Sequence, residues 1–317
     1  MRLVIALGGN ALARRGEPIN AETQRANTKR AVSALAPLVQ PGNQIIITHG
    51  NGPQVGMLAL QAAAGPKEGA YPLDMLGAES AGLIGYLIEQ ELRNVLPKQS
   101  LTAVILTQVL VEASDAAFTR PTKPIGPVYI RDTAEQLARE RGWQVAADGK
   151  GYRRVVASPS PKKILEADVI ALLVNLGATV ICTGGGGIPV VERSDGALQG
   201  VEAVIDKDLA SGLLARDLEA DHLLLLTDVD AVYYDWGTAN ARALKRAHPS
   251  MLAATDFPEG SMRPKIEAAI SFATATGRTA SIGALLDVSA MLAGTAGTTI
   301  DMACQRLEFH SVKTTTA

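Results

Sequence analysis

Two lysines sit where a helix disfavours them. Asp206-Lys207-Asp208 opens a helical-period segment over 207–218, with Asp206 placed to cap it, and Pro264-Lys265 opens another over 264–276. A lysine in the first turn opposes the helix dipole by about 0.3–1 kcal/mol. Both become favourable if a phosphate sits at those helix ends, and locally unfavourable choices tend to mark function. Glycine loops point to the same chemistry. Gly8-Gly9-Asn10, Gly50-Asn51-Gly52-Pro53 and the run Gly184 to Gly187 each follow a short apolar stretch. Glycine lets backbone N–H groups approach an anion closely, and Pro53 suits the first position of a helix whose unpaired N–H groups also favour phosphate. Anion-cradling loops with two placed lysines fit phosphoryl transfer, which asks a protein mainly for positioning and positive charge.

These residues need a scaffold, and the apolar pattern supplies one. Short apolar runs over 3–7, 45–48, 101–107, 179–182 and 223–226 read as strands buried on both faces. Helical segments are expected over 21–38, 53–64, 74–96, 162–176, 207–218 and 264–276. Alternating strand and helix means a mainly parallel α/β sheet with helices on both sides. In such sheets ligands bind beyond the carboxyl ends of the strands. The three glycine loops and Thr227-Asp228-Val229-Asp230 all fall at strand carboxyl ends, so they should line one edge together. Residues 118–161 differ: they carry Pro121, Pro124, Pro127, Pro159, Pro161 and the pair Arg153-Arg154. This segment reads as an excursion from the sheet, either a small lobe or an irregular surface insertion.

Composition narrows the function further. The 317 residues carry a formal net charge of −2, which leaves no basic excess for nucleic acid. Aromatics at 4% do not provide a base-stacking platform. No stretch approaches the roughly 18 apolar residues of a membrane span, and the N-terminal segment has no signal-peptide pattern. The two cysteines, Cys182 and Cys304, make no metal or disulfide spacing, so a reducing cytoplasmic setting is expected. Cys182 reads as a small buried side chain and His49 as a structural hydrogen-bonding residue. The four histidines share no metal spacing. The P-loop, protein-kinase and nucleophile-elbow signatures are absent, and no G-x-G-x-x-G follows a strand.

At the level of motifs the chain resembles the carbamate kinases of the amino acid kinase family. The resemblance runs from Leu3 to about Ile300. It is carried by residues 6–12 (ALGGNAL), 48–56 (THGNGPQVG), 121–127 (PTKPIGP), 153–156 (RRVV), 184–189 (GGGGIP), 200–210 (GVEAVIDKDLA), 226–230 (LTDVD) and 260–265 (GSMRPK). The first and fourth strand loops occur across the wider family, whereas segments 121–127 and 200–210 are specific to the carbamate kinases.

The resemblance implies a three-layer αβα sandwich around a mainly parallel open sheet, with a small protruding lobe, as one domain and usually as a homodimer. Residues 1–205 would form the carbamate and phosphoryl half, including the lobe, and 206–317 the nucleotide-binding half. The implied reaction is reversible, Mg²⁺-dependent phosphoryl transfer between ATP and carbamate, giving ADP and carbamoyl phosphate, often run towards ATP. By position, Gly8, Gly9 and Asn10 would cradle the transferred group, and Gly50, Asn51 and Gly52 the carbamoyl end. Lys207 and Lys265 would neutralise the transferred charge, Asp208 would orient them, and Lys123 would reach over carbamoyl phosphate. Gly184, Gly185, Gly186 and Gly187, with Asp228, Val229, Tyr233 and Met262, are assigned to the nucleotide; protein ligands for Mg²⁺ are not assigned. No catalytic base is needed, because a carbamate oxygen is already anionic. Three residues depart from the family pattern: Ala81 where Gln is expected, Ala157 where Pro is common, and Arg263 where a smaller residue is common. Two alternatives remain: a sibling kinase acting on another carboxylate or a nucleoside monophosphate, and a non-catalytic sensor of carbamoyl phosphate or nucleotide.

Overall fold

A computed structural model describes residues 1–12, 14, 17–18, 20–65, 71–253, 255, 257 and 262–311. Its central sheet has ten strands and is mostly parallel. At its middle lie β1 (Arg2–Leu7), β2 (Gln44–His49), β9 (Thr179–Ile181) and β12 (His222–Thr227). On one side of them come β15 (Thr279–Ala284), β16 (Thr298–Ile300), β14 (Arg242–Ala247) and β13 (Val232–Tyr234), with β17 (Glu308–Phe309) on β14. On the other side β3 (Thr102–Val104) ends the sheet against β9. The middle strands are runs of Leu, Ile and Val buried on both faces, as parallel strands covered by helices must be.

Side chains alternate between two cores along these strands. Leu3, Ile5 and Leu7 of β1 join one core with Ile45 and Ile47 of β2. That core is closed by α1 (Gly9–Leu12), α2 (Ala21–Leu35), α4 (Leu73–Val95) and α10 (Val288–Leu292). Val4 and Ala6 face the other core, with Ile46, Leu223 and Leu225. It is closed by α6 (Ala167–Asn175), α7 (Lys207–Asp217), α8 (Pro249–Ala253) and α9 (Arg263–Thr276). Helix, sheet and helix thus form the three layers.

Two smaller sheets stand apart. One orders β11 (Leu198–Gly200), β10 (Ile188–Glu192), β4 (Gln108–Val111) and β8 (Pro161–Ile164). The other is antiparallel, with β5 (Lys123–Tyr129), β7 (Gly151–Val156) and β6 (Gln144–Asp148), and carries α5 (Arg131–Arg141). Segment 118–161 therefore contains an ordered sheet rather than irregular coil. It seats on α3 (Gly52–Ala64) through a third apolar cluster that joins Ile125 and Val156 to Val55, Ala59, Leu73 and Leu76.

Two expected elements are corrected. The strand expected over 101–107 stops at Val104, and the chain then pairs β4 with β10 and β8 in the second sheet. The helix expected over 162–176 starts only at Ala167. Residues before it pair as β8 with β4, and Glu166 accepts from the Gln108 amide at 2.7 Å. Cross-strand partners outweigh local propensity in both places.

Candidate active site

Parallel register brings the strand ends level. Leu7 pairs with His49, Ala6 with Leu225, and Ile47 with Ile181. The loops that follow β12, β1, β2 and β9 consequently lie side by side in that order. Gly50 donates its amide to Leu7 O at 3.1 Å. A Cβ placed on Gly50 would lie 3.1 Å from Gly9 N and 3.3 Å from Lys207 Cδ. Gly8, Gly9, Gly50 and the Lys207 stem therefore occupy one place, where any side chain on Gly50 would intrude. The backbone of Asn10 belongs to α1, while its side chain lies outside what is described. Gly260 and Ser261 also lie outside the described residues.

Asn51 and Gly52 begin α3, with Pro53 in the first turn. Asn51 is buried and donates to Ser80 Oγ at 2.8 Å, and Ser80 donates to Gly77 O at 2.9 Å. Beneath it lies the glycine run. Gly185 takes φ +67°, and a Cβ there would sit 2.1 Å from Asn51 Nδ2. A residue with a side chain would meet both a left-handed backbone and an occupied space. Gly184 packs against the His49 ring and Ala81, and Gly186 against Ile205 O. The expectation of a nucleotide loop at Gly184 to Gly187 meets a different placement. The run is buried at the end of β9, separated from the Asp228 loop by β1 and β2, and Gly185 packs against Asn51.

Asp206 caps α7 as expected, its Oδ1 accepting from the Asp208 amide at 2.9 Å. Lys207 Nζ lies 2.5 Å from Asp208 Oδ1, and Lys265 Nζ lies 3.1 Å from Oδ2. Packing of α7 on α9 makes this bridge possible, and Gly212 allows close approach, since a Cβ there would be 3.3 Å from Ala268. The three side chains are 11%, 5% and 7% exposed, in the order Lys207, Asp208, Lys265. Burial alone would raise the Asp208 carboxyl, but the charges and hydrogen bonds of the two lysines outweigh it and hold it below its ordinary value. Burial lowers Lys207, and the neighbouring Lys265 charge adds to this against the pull of Asp208. Ser211, one turn on, donates to Lys207 O at 2.5 Å and shares a 2.6 Å hydrogen bond with Thr48 Oγ1, tying α7 to the end of β2. Lys123, at the start of β5, reaches back from the lobe and donates to Asp206 Oδ2.

His49 is buried and pushed down to about 4, chiefly by loss of water, so it is a neutral structural residue at physiological pH. Burial pushes the Cys182 thiol up to about 12, which makes it a poor nucleophile. On the far side of β1, Asp228 and Val229 follow β12, with Thr227 Oγ1 donating to Asp228 Oδ1 at 3.2 Å. Tyr233 on β13 donates to Asp230 Oδ1 at 2.9 Å and packs edge-to-face on the exposed Trp236. Met262 stands at the start of α9 and packs on the adjoining core.

Sequence reasoning missed Thr48, Ser80 and Ser211. Ser211 had a signal, four residues after Lys207 on one helix face; Thr48 stood in the segment 48–56 with no role assigned, and Ser80 had no signal, because its partner Asn51 is distant in the chain. Of the departures, Ala81 abuts Gly184, Ala157 bridges Ala203, and Arg263 pairs with Glu267 at 3.1 Å on the exposed side of α9.

The model of the amino acid kinase family matches residues 1–283. Two curated relatives are named carbamate kinase. That of Rhizobium meliloti is 54% identical over 98% of this chain and 96% of its own length, and that of Haemophilus influenzae is 51% identical over 98% and 100%. Among solved structures, carbamate kinase from Giardia lamblia bound to AMP-PNP is similar with a TM-score of 0.86 and 40% identity, covering 95% of this chain and 98% of that one.

Proposed function

This chain belongs to the amino acid kinase family, and we infer that within it the protein is a carbamate kinase, transferring a phosphoryl group between ATP and carbamate. The observation that carries the reading is the buried Lys207–Asp208–Lys265 array facing the Gly8-Gly9 and Gly50 loops. The order of the strand ends supports an order of substrates: nucleotide beside Asp228, Val229, Tyr233 and Met262, transferred phosphoryl over β1, and carbamoyl end by Gly50, Asn51 and Gly52. Gly185 packs directly against Asn51 and leaves no room there for a side chain.

In the direction that makes ATP, a terminal phosphate oxygen of ADP attacks the phosphorus of carbamoyl phosphate. The bond from phosphorus to the carbamate oxygen breaks, and carbamate leaves as an anion, so no base is required. Lys207 and Lys265 neutralise the oxygens of the moving group, and Asp208 keeps both ammonium groups aimed. Amides of the Gly8-Gly9 loop supply further donors. Preorganised charge of this kind contributes where charge is redistributed in the transition state.

Mg²⁺ enters as the metal complex of the nucleotide. Among the described residues no three His, Cys, Asp or Glu gather to hold an ion, and Asp206 and Asp208 are each engaged by lysine. That donor set does not fit a resident cation, whereas phosphate oxygens and water suit Mg²⁺.

A homodimer fits the free edge of the central sheet. Among the described residues strand β3 pairs only with β9, and exposed apolar residues lie near this edge: Leu101, Leu106, Tyr86 on α4, Leu172 on α6 and Leu176 just after it. A second copy of the same edge would cover this surface; sedimentation as a monomer at micromolar concentration would contradict it. No helix of the described residues is long and apolar enough to cross a membrane. Two buried, unpaired cysteines and a reaction drawing on ADP and ATP support a cytoplasmic setting.

The deciding experiment incubates the purified protein with carbamoyl phosphate, ADP and Mg²⁺ and measures ATP. Formation well above the uncatalysed background is expected, and its absence overturns the reading. A sibling acting on another carboxylate or on a nucleoside monophosphate is not favoured, because the near full-length relatives are carbamate kinases.

A further inference from the structure

Asp206 uses its two oxygens for two different parts of the molecule. Oδ1 accepts from the Asp208 amide and caps the helix that carries Lys207 and Asp208. Oδ2 accepts from Lys123, which is 83 residues away on the lobe. The Asp206 side chain is only 10% exposed, and its cap bond fixes it, so Oδ2 is a rigid point at the end of α7. Lys123 is one-third exposed and sits at the very start of β5, where the lobe meets the body.

We propose that Asp206 is a positioning residue for the phosphoryl transfer: it latches the lobe and holds the Lys123 ammonium over the Lys207–Asp208–Lys265 array, ready for carbamoyl phosphate. This rests on the carbamate kinase reading. An ammonium has three donors, and Asp206 takes one. The other two stay available for an anionic substrate, so the latch aims Lys123 without consuming it. The same carboxylate that fixes the first turn of α7 therefore also fixes the cation arriving from the lobe. The lobe is also seated by the apolar cluster around Ile125 and Val156, by the bridge of Ala157 to Ala203 and by the approach of Gly126 to Gly56, but none of these is a charged partner for the Lys123 ammonium.

Asparagine separates the two duties, because it caps a helix about as well as aspartate but carries no charge to hold an ammonium. Asp206→Asn should keep the thermal unfolding midpoint of the parent protein. Its KM for carbamoyl phosphate should rise about tenfold, with KM for ADP within twofold, and the loss should fall more on KM than on kcat. Lys123→Ala should give a rise of the same kind, and the double variant should be no worse than Lys123→Ala alone, since the two residues act as one unit. If Asp206→Asn leaves KM for carbamoyl phosphate unchanged, Asp206 is a cap only and the proposal is overturned. Additive effects in the double variant also overturn it. A parent protein that forms no ATP overturns the carbamate kinase reading and this inference with it; an active parent with a silent Asp206→Asn overturns the inference alone.

Discussion

Lys265 Nζ lies 3.1 Å from Asp208 Oδ2, a contact between the first turns of two helices 57 residues apart in the chain. Each helix alone would be better off with another residue there. Together they form a buried ion array in which the carboxylate is shared with Lys207.

Removing the shared carboxylate takes from two buried ammonium groups the counter-charge that they share. Breaking a buried pair in this way costs about 3–5 kcal/mol. Asp208→Asn should therefore lower the thermal midpoint by at least about 5 °C and reduce kcat by about 10²-fold. Circular dichroism melts with steady-state ATP formation check both. An unchanged midpoint would mean that the lysines lean on other partners.

Lys207 is expected to act on the transition state more than on either substrate. Its charge matters most as the phosphoryl group moves, so Lys207→Ala should lower kcat by about 10²–10³-fold with KM values changed less than about threefold. Saturation kinetics in both substrates separate the two. A variant whose turnover matches the parent would remove Lys207 from the mechanism.

What the sequence made legible follows from range. Strand ends, glycine loops and the lysine at each helix start are local signals, and each appears where the apolar pattern places it. The cap by Asp206 was also legible, because a cap spans two or three residues. Where the run Gly184 to Gly187, assigned to the nucleotide by resemblance, lies relative to the Asp228 loop depends on strand order. The glycine run is close to Asp228 in sequence, yet two strands intervene between the strands that carry them. Strand order is set by pairings such as β1 with β12, some 219 residues apart, which no local pattern encodes. The second partner of Asp206 was invisible for the same reason. The lobe lay between these cases: its prolines marked a departure from the main sheet, but not that β5, β6 and β7 would pair.

Close approach of Gly56 and Gly126 gives a test of the lobe that leaves every charged group in place. A Cβ on Gly56 would lie 2.2 Å from Gly126 Cα, where ordinary contact needs about 3.5–4.0 Å. Gly56→Ala must therefore push β5 away by more than about 1 Å, a displacement large enough to affect positioned groups. The expected result is a rise of about tenfold or more in KM for carbamoyl phosphate, with KM for ADP retained. Gly82→Ala on α4 is the control. A Cβ there meets nothing within 4 Å, so it should stabilise the helix by about 0.5–1 kcal/mol and leave the kinetics alone. Equal behaviour of the two variants would show that the lobe seat is not needed.

Stability should fall on mild acidification because two histidines are buried neutral. His49 and His222 are both pushed down to about 4 by burial, from an ordinary value near 6.5. Between those values the unfolded chain binds protons that the folded chain refuses. Lowering the pH from about 6.5 towards 4 therefore favours unfolding, by up to about 3 kcal/mol for each histidine. The buried Asp208 is shifted the other way, below its ordinary value, so its contribution is lost only at lower pH still, as that carboxylate protonates. Urea unfolding at pH 7.5, 6.0 and 5.0 should show the stability dropping mainly below pH 6.5. His222 lies 2.9 Å from Ser281 Oγ and far along β12 from the lysine array, so His222→Asn can be tested without touching the site. That variant should lose about half of the pH dependence, and an unchanged slope would show that other groups drive the acid sensitivity.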